Sequence, residues 1–176
     1  MAIAGKPVPE DIKIAAIDLG SNAIRLEIAR LKPGRTIEIL ADEREPARLG
    51  ADVFRTGELK EKAKERALEA LARFATLIRR FKPQFTRVVA TSALREASNY
   101  DEFVRAAKIR TGLDIDVISG GEEARLLCLG ALGPGAIAEH ESLVLDIGGG
   151  STEIAVALGS DATMAKSLPL GTVRLT

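Results

Sequence analysis

A chain of 176 residues is long enough for one well-filled domain, and its 46% hydrophobic and 28% charged residues exclude a disordered or membrane-spanning chain. Its 25 basic and 25 acidic residues cancel, so no global charge points to nucleic acid or to an anionic membrane, and a polyanion site would have to be a local lining. The lone cysteine, Cys128, excludes an intramolecular disulfide, and the lone histidine, His140, excludes a two-histidine mechanism. The opening MAIAGKPVPEDIK lacks the apolar run of a signal peptide, so a cytoplasmic location is expected.

Residues 1–12 read as a flexible tail, small, polar and proline-bearing, ahead of a lobe over 13–176. Lys13 to Leu19 is an apolar run suited to a buried strand, Gly20-Ser21-Asn22 has turn chemistry, and Ala23 to Leu31 resumes as strand. After the Pro33-Gly34 turn, Thr36 to Ala41 makes a third strand, so the opening is an antiparallel meander. A helix follows, capped by Thr56 and stopped at Lys82-Pro83, with Ala67, Ala70, Leu71, Phe74, Leu77, Ile78 and Phe81 forming its apolar stripe.

Arg87 to Ala90 reads as a strand and Thr91 to Arg95 as a loop. Ser98 and Asp101 form a capping pattern for a helix ending near Gly112. Ile115 to Ile118 is a short strand, Ser119 to Glu122 a second capping pattern, and the helix behind it carries Leu126, Leu127 and Leu129. Gly133-Pro134-Gly135 breaks the chain before strands over Ser142 to Ile147, Thr152 to Leu158 and Ala162 to Ser167. The order predicts a mixed α/β fold with helices covering a sheet.

Two segments share one design. AAIDLGSN (15–22) and VLDIGGGST (144–152) are each an apolar strand ending in Asp-aliphatic-Gly, followed by small polar residues and a second strand. Glycine lets the backbone approach a phosphate, while consecutive amides and Ser hydroxyls can cradle its oxygens. Asp18 and Asp146, at the strand ends, offer hard oxygens to Mg²⁺ or to a water. Either hairpin alone is an ordinary Gly-Ser turn; the pair is the signal.

Four ordered segments, AAIDLGSNAIRLEIAR, VVATSALREASN, VISGGEEARLLCLGAL and LVLDIGGGSTEIAV, resemble the exopolyphosphatase / guanosine pentaphosphate phosphatase (Ppx/GppA) family of the actin/hexokinase/Hsp70 superfamily. The resemblance runs from about Ile14 onward. It implies an α/β, ribonuclease H-like (actin-like ATPase) lobe with a mixed five-stranded sheet and flanking helices. It also implies a Mg²⁺-assisted hydrolase acting on polyphosphate or guanosine pentaphosphate, with no nucleic acid or membrane as partner, and allows a homodimer in the full-length protein. Family members continue into a second lobe, so this chain is expected to be a fragment that turns over weakly or not at all alone.

The resemblance matches Gly20, Ser21, Asn22, Gly148, Gly149, Gly150, Ser151 and Arg95 to phosphate-binding positions, and Asp18, Asp146 and Glu153 to metal-associated positions. It makes Glu123 the base that activates water. From the residues alone, a capping box would tie Glu122 back to the helix start and leave Glu123, turned about 100° away, free to face a cleft. Both acids could equally complement the helix dipole, and Arg95 could be a solvated loop residue. Arg25 could line the cleft or face water. Cys128 reads as a small core residue, and the basic run Arg79, Arg80, Lys82 as a solvated helix end. Two rivals remain: a binding or sensor lobe without turnover, and a superfamily kinase with a catalytic Asp in place of Glu123.

Overall fold

The structure is a computed structural model that describes residues 12–32, 36–132, 141–158 and 161–176. The expected tail up to residue 11, the Pro33-Gly34 turn, the Gly133-Pro134-Gly135 break and His140 lie outside the described residues.

Alternating apolar residues draw the opening segment into a meander of β1 (Ile12–Leu19), β2 (Ile24–Lys32) and β3 (Thr36–Glu45), all antiparallel. Ala15, Ile17 and Leu19 of β1 and Ile24, Leu26 and Ile28 of β2 are buried on one side. Two helices follow, α1 (Gly50–Thr56) and α2 (Glu61–Phe81). In α2 the 3.6-residue stripe of Ala67, Ala70, Leu71 and Phe74 is buried in the main core, with Leu77, Ile78 and Phe81 packed against it.

Strand β4 (Phe85–Ala90) returns parallel to β1, with Asp18 beside Val89. Then come α3 (Ser92–Glu96), α4 (Tyr100–Thr111) and β5 (Asp116–Val117), which pairs parallel to β4. The resulting mixed five-stranded sheet, β3-β2-β1-β4-β5, is that of the expected ribonuclease H-like, actin-like lobe.

Helix α5 (Gly120–Leu132) leads into a separate antiparallel sheet of β6 (Glu141–Ile147), β7 (Thr152–Leu158) and β8 (Asp161–Leu168). The second glycine hairpin therefore belongs to its own sheet. Cys128 and Leu132 of α5 bury against Ala155 and Ala157, with Val144, Ala162 and Ala165 around them, as expected for a core cysteine. The opposite face leaves Leu143, Leu145 and Ile147 exposed at 71%, 57% and 63%. No described helix is long and apolar enough to cross a membrane.

Four local expectations are corrected. Thr56 does not cap the long helix: it ends α1, its hydroxyl donating to the Asp52 carbonyl at 2.9 Å, and α2 starts after Lys60 with no side-chain cap. The segment after β4 is not a loop but the short helix α3, so Arg95 sits on a helical turn. Ser98 does not cap α4, since its hydroxyl donates to Gly57 at 3.1 Å. Asn99, at the start of α4, instead accepts from the Leu59 amide at 2.9 Å and donates to the Leu59 carbonyl at 3.1 Å, clamping a segment forty residues away in sequence.

The fourth correction concerns Glu122. The Ser119 hydroxyl accepts from the Glu122 amide at 3.2 Å, which is half of a capping box. The Glu122 carboxylate does not return the bond. It takes two from Arg125, at 2.7 and 2.8 Å, because a bidentate guanidinium outcompetes a neutral backbone donor.

Candidate active site

The chain ends of β1 and β4 lie side by side because the two strands run parallel. The turn after β1 and the start of α3 thus meet: the Ser21 and Ser92 hydroxyls share a buried hydrogen bond of 2.8 Å. Opposite them stands the turn between β6 and β7. The two turns close alike, with the Gly20 amide donating to Ala23 at 3.1 Å and the Gly148 amide donating to Ser151 at 2.9 Å. Asp18 and Asp146 each stand two residues before the first glycine.

The turns touch. A side chain at Gly149 would begin 3.4 Å from the Asn22 amide nitrogen. One at Gly150 would lie 2.2 Å from the Ser92 hydroxyl, 2.4 Å from the Phe54 ring and 2.5 Å from the Ser21 hydroxyl, so only glycine fits there. Beneath the second turn, the Thr172 amide donates to the Gly148 carbonyl at 3.0 Å and the Val173 amide to the Gly149 carbonyl at 2.8 Å. The amides of Ser21, Asn22, Gly149, Gly150 and Ser151 have no acceptor among the described residues.

A cleft of about 380 Å³ runs between the turns. It is lined by the expected Asp18, Gly20, Ser21, Asn22, Glu123, Asp146, Gly148, Gly149, Gly150, Ser151 and Glu153, and also by Arg25 and Arg44. Arg95 stands outside this lining, behind Glu123: one guanidinium nitrogen donates to the Ile118 carbonyl at 2.8 Å and to the Glu123 carboxylate at 3.1 Å. Arg25 holds Asp42 through two bonds, at 3.0 and 2.7 Å, at the exposed rim.

The carboxylates are perturbed in a functional direction. Burial, followed by the negative charge of Glu153, pushes Glu123 up to about 7 against the opposing pull of Arg95. Burial and then Asp146 raise Asp18 to about 6, with Arg25 working the other way. An acid that titrates near neutrality can accept a proton and release it again. The expected metal residues Asp18, Asp146 and Glu153 line one cleft, but no three such side chains converge into a cation cage among the described residues. Glu153 is 3% exposed and accepts from the Ser167 hydroxyl at 2.7 Å. This donor set suits a hard cation that keeps waters and shares phosphate oxygens, as Mg²⁺ does.

Sequence reading missed Ser92, Phe54, Arg44 and Ser167. Phe54 and Arg44 come from a short helix and a strand edge with no motif of their own, and Ser92 lies in the VVATSALREASN segment with no phosphate-turn pattern around it. Ser167 is placed beside Glu153 by a strand register that only the fold sets.

Comparison with known proteins identifies the family and the fold. The model of the Ppx/GppA phosphatase family matches residues 27–176. A guanosine-5'-triphosphate,3'-diphosphate pyrophosphatase from Photobacterium profundum is 38% identical over 159 residues, covering 90% of this chain and 32% of that protein. The crystal structure of the Aquifex aeolicus member of the Ppx/GppA family superposes with a TM-score of 0.82 at 36% identity, over 94% of this chain and 53% of that one. An exopolyphosphatase structure from Cytophaga hutchinsonii gives a TM-score of 0.86 at 30% identity, over 93% and 52%. The chain thus spans about a third of the curated relative and about half of each crystallised one.

Proposed function

The chain belongs to the Ppx/GppA phosphatase family, and we propose that it hydrolyses the terminal phosphoanhydride of inorganic polyphosphate or of guanosine pentaphosphate in the cytoplasm. The observation that carries this reading is the placement of Glu123, raised to about 7, in the same cleft as two glycine turns whose amides lack protein acceptors. The substrates for which these two relatives are named share one group, a terminal phosphoryl on an anhydride oxygen.

The amides of Ser21, Asn22, Gly149, Gly150 and Ser151 would take the oxygens of the terminal phosphoryl group, which carry the charge that develops during transfer. Glu123 would receive the proton of a water whose oxygen bonds to the terminal phosphorus. As that bond forms, the anhydride P–O bond breaks, and its electron pair leaves on the bridging oxygen of the shortened substrate. Arg95 would hold the Glu123 carboxylate in place through one guanidinium nitrogen, which leaves its other donors for a phosphoryl oxygen. Asp18, Asp146 and Glu153 would hold Mg²⁺, which when bound neutralises phosphate charge.

Phosphate release from polyphosphate and from guanosine pentaphosphate, measured with Mg²⁺ present on a protein that joins this lobe to the family's second lobe, tests the reading. Release from either anhydride supports it. Binding of both without release would favour the sensor alternative, and transfer to an added sugar or acid would favour a kinase.

A further inference from the structure

Three successive carbonyls of the second turn are held from one side by the segment that follows β8. The Thr172 amide takes Gly148, and the Val173 and Arg174 amides take Gly149, the latter at 3.2 Å. Gly150 receives only a side chain, the Nε of Arg174, at 2.7 Å. The backbone of Gly171 lies flush beneath, where a side chain would come within 2.3 Å of the Gly149 carbonyl. In a trans peptide the C=O and the following N–H point in opposite directions. Fixing these carbonyls below the turn therefore fixes the amides of Gly149, Gly150 and Ser151 above it, toward the cleft.

Arg174 is itself held on three sides. Its guanidinium lies 4.0 Å from the centre of the Phe54 ring, pairs with Glu96 of α3, and is only 18% exposed. Phe54 in turn fills the space beside the Gly150 Cα and packs on Gly50, next to Ser21. One side chain thus joins α1, α3 and the second turn.

We propose that Arg174 is a positioning residue for phosphate binding, the pin that orients the Gly150–Ser151 peptide so that its amide meets a phosphate oxygen. The proposal rests on the phosphate-binding reading of the turn. Lysine cannot substitute, because it lacks both the planar face that stacks on Phe54 and the Nε donor that works alongside a separate pair to Glu96.

Amide NMR of the chain titrated with inorganic phosphate and Mg²⁺ tests it. In the unaltered chain the amides of Ser21, Asn22, Gly149, Gly150 and Ser151 shift together and saturate. In Arg174→Lys and Arg174→Ala, phosphate affinity falls about tenfold, and the response is lost first at Ser151 while Gly149, Ser21 and Asn22 still move. Millimolar guanidinium restores the response in Arg174→Ala but not in Arg174→Lys. If Arg174→Ala does not fold, Arg174→Lys decides. Wild-type affinity and shifts in a folded Arg174→Lys overturn the role of Arg174 while leaving the turn a phosphate site. If the unaltered amides ignore phosphate, the reading of the turn falls, and the pin with it.

Discussion

Glu123 and Glu122 are adjacent and chemically identical, yet the fold separates their roles. Glu123 is 13% exposed and faces Arg95, whereas Glu122 is held by Arg125 on the outer surface. In an active protein, Glu123→Gln is expected to lower kcat by about 10²–10⁴-fold, whereas Glu122→Gln leaves turnover nearly unchanged. Steady-state kinetics on the two variants decides this, and the reverse ranking would exchange the assignments. The proposed base role requires an ionised Glu123, so kcat/KM should rise with pH through about 7.

Stability moves in the opposite sense to activity at this residue. Between the ordinary glutamate value of 4.5 and about 7, the folded chain holds a proton that the unfolded chain has released, so Glu123 lowers stability as pH rises across that window. Glu123→Gln should therefore melt higher than wild type at pH 8 and alike at pH 4, in thermal scans at both values. A Tm difference that is equal at both, or larger at pH 4, would show that burial does not govern this carboxylate. From sequence, Glu123 was legible as the free member of a capped pair. The reason given for Glu122 was wrong, because a guanidinium three residues on is a stronger partner than a backbone amide.

Among the elements, those with long periodic patterns were legible and the short ones were not. The stripe of α2 and the apolar strands announce themselves through repeated burial. Helices α1 and α3, seven and five residues long, are too short for a period to register and are held by tertiary contacts. Asn99 shows the same limit: a capping residue by type, it serves as a long-range clamp. Asn99→Ala should cost about 1–3 kcal/mol in urea unfolding, since two backbone groups of Leu59 lose their partner. In the second turn, Gly150→Ala meets three neighbours within 2.5 Å, whereas Gly149→Ala meets none closer than 3.3 Å. Gly150→Ala is expected to abolish phosphate binding and to cost about 1–3 kcal/mol, with Gly149→Ala milder in both; calorimetry and thermal melts check the order.

Across the whole molecule, the two glycine hairpins were legible as a pair, but their assignment to two sheets was not. Strand pairing is non-local, and nothing in the VLDIGGGST segment says whether its strand adds to the first sheet or starts another. Gly120, at the start of α5, lies tight against β8, where a side chain would sit 2.6 Å from Ser167 Cβ. Gly120→Ala should pry the start of α5 from β8 and lower both kcat and Tm, in the same assays; a lower Tm with unchanged kcat would reduce Gly120 to a packing residue.

Helix α5 packs on β7 and β8, yet its first turn presents Glu123 to Arg95 and to the cleft beside the first sheet. Mechanically it is a lever arm fixed to one body with its working tip against the other. Glu123 lies nine residues, about 13 Å, from the far end of the helix, so a rotation of about 5° about that end carries the carboxylate about 1 Å. A displacement of that size at a reacting group is worth about a hundredfold in rate. In the proposed reaction, a rotation of that size between the two sheets would decide whether Glu123 reaches the attacking water.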